Sequence, residues 1–297
     1  MRKILPVIPT LKQFILAQPK RGAQPGCSSA LHKEVILDKV HLETSASLGI
    51  LTLANPPLNL LSGELIADLR AAVTEVKRLP LRALLLRAEG KVFCAGADVS
   101  AFKGKTGSDA RATLTTHLRM IADLEELPFP TLAAVQGMCV GGGLELVLAC
   151  DLIFAAASAR LGQLEATIGT TTLLGGVQRL AERAGPGRAR EIIYTAESYD
   201  AATFERWNIV NRVLPDDAFE PQTRAFAERL ASGPTLAYAA GKRMVRAYLE
   251  GGTRAADRVV DEVGPPLFQS EDMRAAVAAL VEYGARSFRD KVVFQGR

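Results

Sequence analysis

Histidine is nearly missing from this chain: 297 residues contain three, His32, His41 and His117. None lies near a glycine-rich stretch, and His117, between Thr116 and Leu118 on an expected helix, reads as a core or surface residue. Acid–base chemistry at neutral pH therefore falls to carboxylates rather than to imidazole. Cysteine is almost as scarce. Cys27, Cys94, Cys139 and Cys150 form no C-x-x-C pair and no metal-ligand spacing, so neither a disulfide framework nor a metal site is expected. Apolar neighbours mark Cys139 and Cys150 as reduced core thiols, which suits a reducing, cytoplasmic compartment. No apolar run approaches the roughly 20 residues that span a bilayer, and no membrane span is expected.

Several familiar signatures are missing too. No G-x-G-x-x-G follows a strand and no G-x-S-x-G occurs, which removes sequence support for dinucleotide binding and for nucleophile-elbow hydrolases. Gly104-Lys-Thr imitates the end of a phosphate-binding loop, but Val99 stands where the first glycine belongs. Acidic residues are absent from positions 1–33, which hold Arg2, Lys3, Lys12, Lys20, Arg21 and Lys33. That segment supplies +6 of a formal net charge of +4 and leaves −2 for the rest, so the folded part carries no basic surplus for nucleic acid. Lacking any helical or alternating period, residues 1–33 read as a disordered, dispensable extension. The alternative is an organelle-targeting leader, which would place the protein in the mitochondrial matrix.

What remains is an alternation of strands and helices. Residues 34–43 and 49–54 are β-branched apolar runs that read as a hairpin, and Asn55-Pro-Pro ends the second. Ser62 is set to cap a helix carrying Leu65, Leu69, Val73 and Val76, and Ser108 a second helix ending before Pro128. Strands are expected at 83–87, 131–135 and 151–155. This order predicts an α/β core with largely parallel pairing over 34–215, followed by an alanine-rich helical region over 216–297.

The informative stretch runs from Gln136 to Asp151, where three glycines, Gly141 to Gly143, precede Glu145 in an apolar run. On a helix from 142 to 150 the neighbours of Glu145 on its own face are Gly141, Gly142, Leu148 and Ala149, so no polar side is available. Burying a carboxyl costs several kcal/mol unless it is neutralised or partnered, and a raised pKa suits proton transfer. The glycines bare the N–H groups of a helix start, which suit a developing oxyanion. The alternative is a glycine turn before a core helix whose glutamate reaches water. A second acid, Glu165, follows one strand later, where alone it is equally a first-turn helix glutamate. Phe93-Cys-Ala-Gly-Ala-Asp98 offers another exposed N–H, that of Ala97, or simply a turn capped by Asp98.

Together, Phe93-Cys-Ala-Gly-Ala-Asp98, Gln136-Gly-x-x-x-Gly-Gly-Gly-Leu-Glu145, Cys150-Asp151, Gly162-Gln-x-Glu165 and Gly176-x-Gln-Arg-Leu180 resemble the crotonase, or enoyl-CoA hydratase/isomerase, family. The resemblance runs from about Val35 to the C-terminus. It implies a spiral of β-β-α units with a helical C-terminal trimerisation region, and a homo-trimer or hexamer. It also implies an acyl-CoA substrate, coenzyme A being part of that substrate and no separate cofactor being required. The thioester oxygen would be held by the N–H groups of Ala97 and Gly142, with Glu145 and Glu165 as catalytic acids and Gly141 beside them in the substrate pocket. Both acids being present favours hydration of a 2-enoyl thioester. A double-bond isomerase, another enolate-forming enzyme of the family, or a non-catalytic scaffold are the alternatives.

The chain departs from the family pattern beyond Glu165. Leu164 precedes it where proline is common, Thr172 replaces a proline, and Leu173 replaces the glycine that lines the substrate pocket. Ser100 stands where a lysine near the coenzyme A phosphates is usual, with Lys103 and Lys105 close by.

Overall fold

The computed structural model describes residues 34–297; the expected extension over 1–33 lies outside the described residues. The first strands form a meander, β1 (Glu34–Ile36), β2 (Val40–Ser45) and β3 (Leu48–Leu53), paired antiparallel. The expected first strand is thus two. Its run breaks at residues 37–39, where the Lys39 N–H turns to the Asp68 carboxylate (2.9 Å) instead of to a strand. From β3 onward pairing is parallel, through β4 (Ala83–Ala88), β5 (Thr131–Val135), β7 (Leu152–Ala156) and β10 (Arg212–Leu214). β3, β5 and the Ala83-Leu-Leu-Leu run of β4 are buried on both sides, as uninterrupted apolar runs require, whereas β10 at the edge of the sheet is only partly buried.

Two of the parallel strands are followed by a second, short strand. β6 (Met138–Val140) follows β5 and β8 (Arg160–Gly162) follows β7, and both join β9 (Ser198–Asp200) in a separate three-stranded sheet. Helix α3 (Gly142–Leu148) follows β6, and α4 (Gly176–Thr195) follows β8, completing the β-β-α repeat. Helix α1 (Gly63–Val76) is capped by Ser62 as expected. For α2 (Gly107–Glu125) the cap is Thr106, not Ser108: Thr106 and Asp109 form a reciprocal capping box, leaving Ser108 inside the first turn. After α5 (Ala201–Arg206) and β10 the chain is helical: α6 (Asp216–Ala231), α7 (Thr235–Gln269), broken at Gly251–Gly252, and α8 (Glu271–Tyr283). Asp151 ties this region to the sheet, accepting from the Thr131 N–H and hydroxyl at 2.8 and 2.9 Å and from Lys242 of α7 at 2.8 Å.

Candidate active site

The glycine-rich stretches meet because the 93–98 segment pairs with β6. Cys94 donates its N–H to Met138 O (3.1 Å) and accepts from Val140 N–H (3.0 Å), so the two stretches run side by side. On its other flank Leu61 donates to Gly96 O (2.9 Å) and accepts from Asp98 N–H (3.4 Å). In a parallel bridge of this kind the residue between those bonds, Ala97, turns its own N–H away from its partner. Gly142 opens α3, where helix N–H groups have no intrahelical acceptor. A side-chain carbon built on Gly142 would lie 3.9 Å from Ala97 N, and one on Gly96 3.8 Å from Gly142 N. Among the described residues neither N–H donates to a protein acceptor.

Glu145 sits in the first turn of α3, its own N–H bonded to Gly141 O (3.1 Å), and is 3% exposed. Gly141 makes this approach through φ 56°, ψ −132°, a conformation closed to side chains with a Cβ. The Glu145 Oε1 atom accepts from the N–H groups of Leu174 (2.7 Å) and Gly176 (2.9 Å). Burial pushes this carboxyl up to about 7; the backbone donors oppose the shift and the nearby charge of Glu165 adds to it.

Glu165 begins a short 3₁₀ turn, Glu165–Ile168, just past β8 and is half-buried. Burial raises its pKa as well. Its Oε1 would touch a side-chain carbon on Gly141 at 3.4 Å, so the same glycine faces the second acid and directly precedes the Gly142 donor. Gln163, fully buried, stands behind it. With its amide oriented to satisfy its neighbours, its nitrogen donates to Gly141 O (3.2 Å) and to both Glu165 oxygens (3.1 Å each). That donation favours the charged carboxylate and opposes the effect of burial.

Leu173 is 42% exposed, whereas its neighbour Leu174 is buried with its Cδ1 at 3.9 Å from the Gly142 side-chain position. Thr172, in the proline position, is buried and its hydroxyl accepts from Val177 N–H (3.1 Å), closing the start of α4. Ser100 is bound to Asp98, and Lys103 and Lys105 are exposed on the following turn. Leu61 was not singled out by sequence: its backbone pins Ala97, and its Cδ1 would lie 2.8 Å from a side-chain carbon on Gly142. The available signal was Asn59, a fully buried amide in an apolar run, which fastens this segment to Glu89 O and Val92 O at 2.9 and 2.8 Å.

Residues 43–291 match the family model described as enoyl-CoA hydratase/isomerase. A probable enoyl-CoA hydratase of Mycobacterium bovis is 32% identical over 257 residues, covering 84% of this chain and 98% of the relative. A crotonyl-CoA hydratase of Syntrophomonas wolfei is 29% identical, covering 86% of this chain and 99% of the relative. Among solved structures, an enoyl-CoA hydratase subunit from Geobacillus kaustophilus is 31% identical and superimposes with a TM-score of 0.80, covering 87% of this chain and 98% of that one.

Proposed function

The chain belongs to the enoyl-CoA hydratase/isomerase family, and from that premise we propose that it hydrates the double bond of a 2-enoyl-CoA thioester. One observation carries the reading: the Ala97 and Gly142 N–H groups, which donate to no protein acceptor among the described residues, lie side by side, with the Glu165 carboxylate against Gly141 and the buried Glu145 on the helix that Gly142 opens. Water adds its oxygen to C3 and a proton to C2, and between those events negative charge rests on the thioester oxygen. Ala97 and Gly142 N–H groups receive that charge; a preorganised donor of this kind is worth about 3 kcal/mol. Glu145 and Glu165 hold the water, take a proton from it and return one to C2. A carboxyl near pH 7 can do both, since neither form is scarce at the working pH.

Gly141 and Leu173 line the acyl end of the cleft, and Lys103 and Lys105 stand on the turn after Ala97, within the part of the chain that meets the coenzyme A moiety. Self-association as a trimer or hexamer is supported by the apolar side chains that α7 and α8 leave exposed, among them Tyr248, Leu249, Phe268 and Val281. Light scattering reads that state directly.

The activity test follows the absorbance of the conjugated enoyl thioester with crotonyl-CoA and longer homologues. Loss of the band supports hydration. Its appearance from a 3-enoyl-CoA, with no loss from a 2-enoyl-CoA, replaces hydration with isomerisation, and no change with either makes the chain a non-catalytic member.

A further inference from the structure

The peptide that holds Glu145 is itself held from its other edge. Gly176 N–H donates to Glu145 Oε1 at 2.9 Å, and the carbonyl of that same peptide, Gly175 O, accepts from Arg179 Nη1 at 3.2 Å. This peptide is trans, so its C=O and N–H point opposite ways in one rigid plane. Gly175 O also accepts from the Arg179 backbone N–H at 3.4 Å, so hydrogen bonds on opposite edges fix one plate, and Arg179 supplies both of those on the carbonyl edge. The two plates before it are each held once: Leu174 O, on the Leu174–Gly175 peptide, lies 3.5 Å from Arg179 Nη1, and Leu174 N–H, on the Leu173–Leu174 peptide, donates to Glu145.

The guanidinium is not free to wander. Its Nε and Nη2 bind the two oxygens of Glu125, the last residue of α2, at 3.1 and 2.5 Å, and the Arg179 side chain is 13% exposed. Such a fork-on-carboxylate pair fixes direction as well as distance. Gly175 makes room for it. At φ +96° a side-chain carbon there would lie 1.9 Å from Arg179 Nη1, so any larger residue would displace the guanidinium as well as strain the backbone.

Taking Glu145 as the acid of the reading above, we propose that Arg179, oriented by Glu125, is a positioning residue for Glu145 that acts through the Gly175–Gly176 peptide. The cation on the carbonyl also polarises the peptide and strengthens the N–H that faces the carboxylate. Releasing the plate weakens donors that favour the charged carboxylate, so the Glu145 proton is held to higher pH.

The test reads Glu145 itself. The protonated-carboxyl infrared band of Glu145, isolated as the difference between wild type and Glu145→Gln, is titrated in Arg179→Met, Arg179→Lys and Glu125→Gln. Its midpoint should rise by about one pH unit in Arg179→Met, the equivalent of one charge-assisted hydrogen bond. Arg179→Lys and Glu125→Gln should give smaller rises in the same direction, and they decide the matter if Arg179→Met does not fold. In crotonyl-CoA hydration kcat should fall roughly a hundredfold in Arg179→Met with little change in KM, as for a misplaced catalytic group. A midpoint identical to wild type in the folded variants overturns the proposal. Because the titration needs no substrate, it stands or falls separately from the assignment of hydratase activity.

Discussion

Glu145 and Glu165 both meet Gly141, one through a backbone hydrogen bond and the other through its carboxylate, yet their surroundings differ in kind. Glu145 rises from a helix, is almost wholly buried, and is gripped by backbone N–H groups of the 174–176 loop. Glu165 follows a strand end on a 3₁₀ turn, is half-buried, and leans on the side-chain amide of Gln163. The first is an acid whose position is written into the backbone and whose proton affinity is set by dryness. The second is only half-buried, and one side chain tempers its charge.

The sharpest way to break this comparison is to neutralise each acid in turn. Glu145→Gln and Glu165→Gln should each fold and each lose hydration of 2-enoyl-CoA by roughly 10²–10⁴-fold, the usual contribution of a positioned acid or base. Turnover within a few-fold of wild type in either variant removes that residue from the mechanism, and if only one survives the test the site is a single-acid site.

Stability against pH separates the two acids further. An unfolded glutamate releases its proton near 4.5, whereas Glu145 in the fold holds it to about 7. The stability tied to that proton is therefore complete below the unfolded value and is lost as pH rises through 7, on the order of 3 kcal/mol across the window. Denaturant unfolding of wild type at pH 5 and pH 8 should show this loss. Glu145→Gln should remove most of it, while Glu165→Gln, at a wetter site, should leave most of it in place. Equal slopes in wild type and Glu145→Gln would show that the buried acid finds compensation elsewhere.

Much of this was legible in the sequence because long, periodic elements announce themselves. The parallel strands β3, β4, β5 and β7 came from unbroken apolar runs, and the burial of Glu145 followed from the lack of any polar neighbour on its helix face. The four short strands β6, β8, β9 and β10 left no such trace. Three residues hold no period, and Met138–Val140 is a strand because Arg160–Gly162 and Cys94 lie on either side of it. Leu61 was hidden for a similar reason: what matters is its backbone pairing with Gly96 and Asp98, which a residue type does not encode. The Glu125–Arg179 pair joins positions 54 apart whose charges look like surface charges until the fold brings them together.

The smallest expected effect concerns the loop that joins the two settings. Leu173 and Leu174 are adjacent and identical, but one is 42% exposed and the other buried against the Gly142 side of the site. The family resemblance implies glycine where Leu173 stands, and on the reading that this position lines the acyl end of the cleft its isobutyl group adds four carbons there. Overpacking of that order costs roughly 1–3 kcal/mol unless the wall retreats. Crotonyl-CoA should accordingly be a poor substrate, and Leu173→Gly should improve it by roughly ten- to a hundredfold relative to the substrate the native chain prefers. Because its side chain is exposed, this change should leave stability within about 1 kcal/mol. Leu174→Ala should do the reverse, costing about 2–5 kcal/mol of stability by opening a buried cavity. The kcat/KM ratio for crotonyl-CoA against longer homologues, measured beside unfolding midpoints, distinguishes them. If Leu173→Gly leaves that ratio unmoved while wild type already handles crotonyl-CoA at 10⁴ M⁻¹s⁻¹ or better, the leucine faces solvent rather than the acyl group, and acyl selection lies with Leu61 and Leu174.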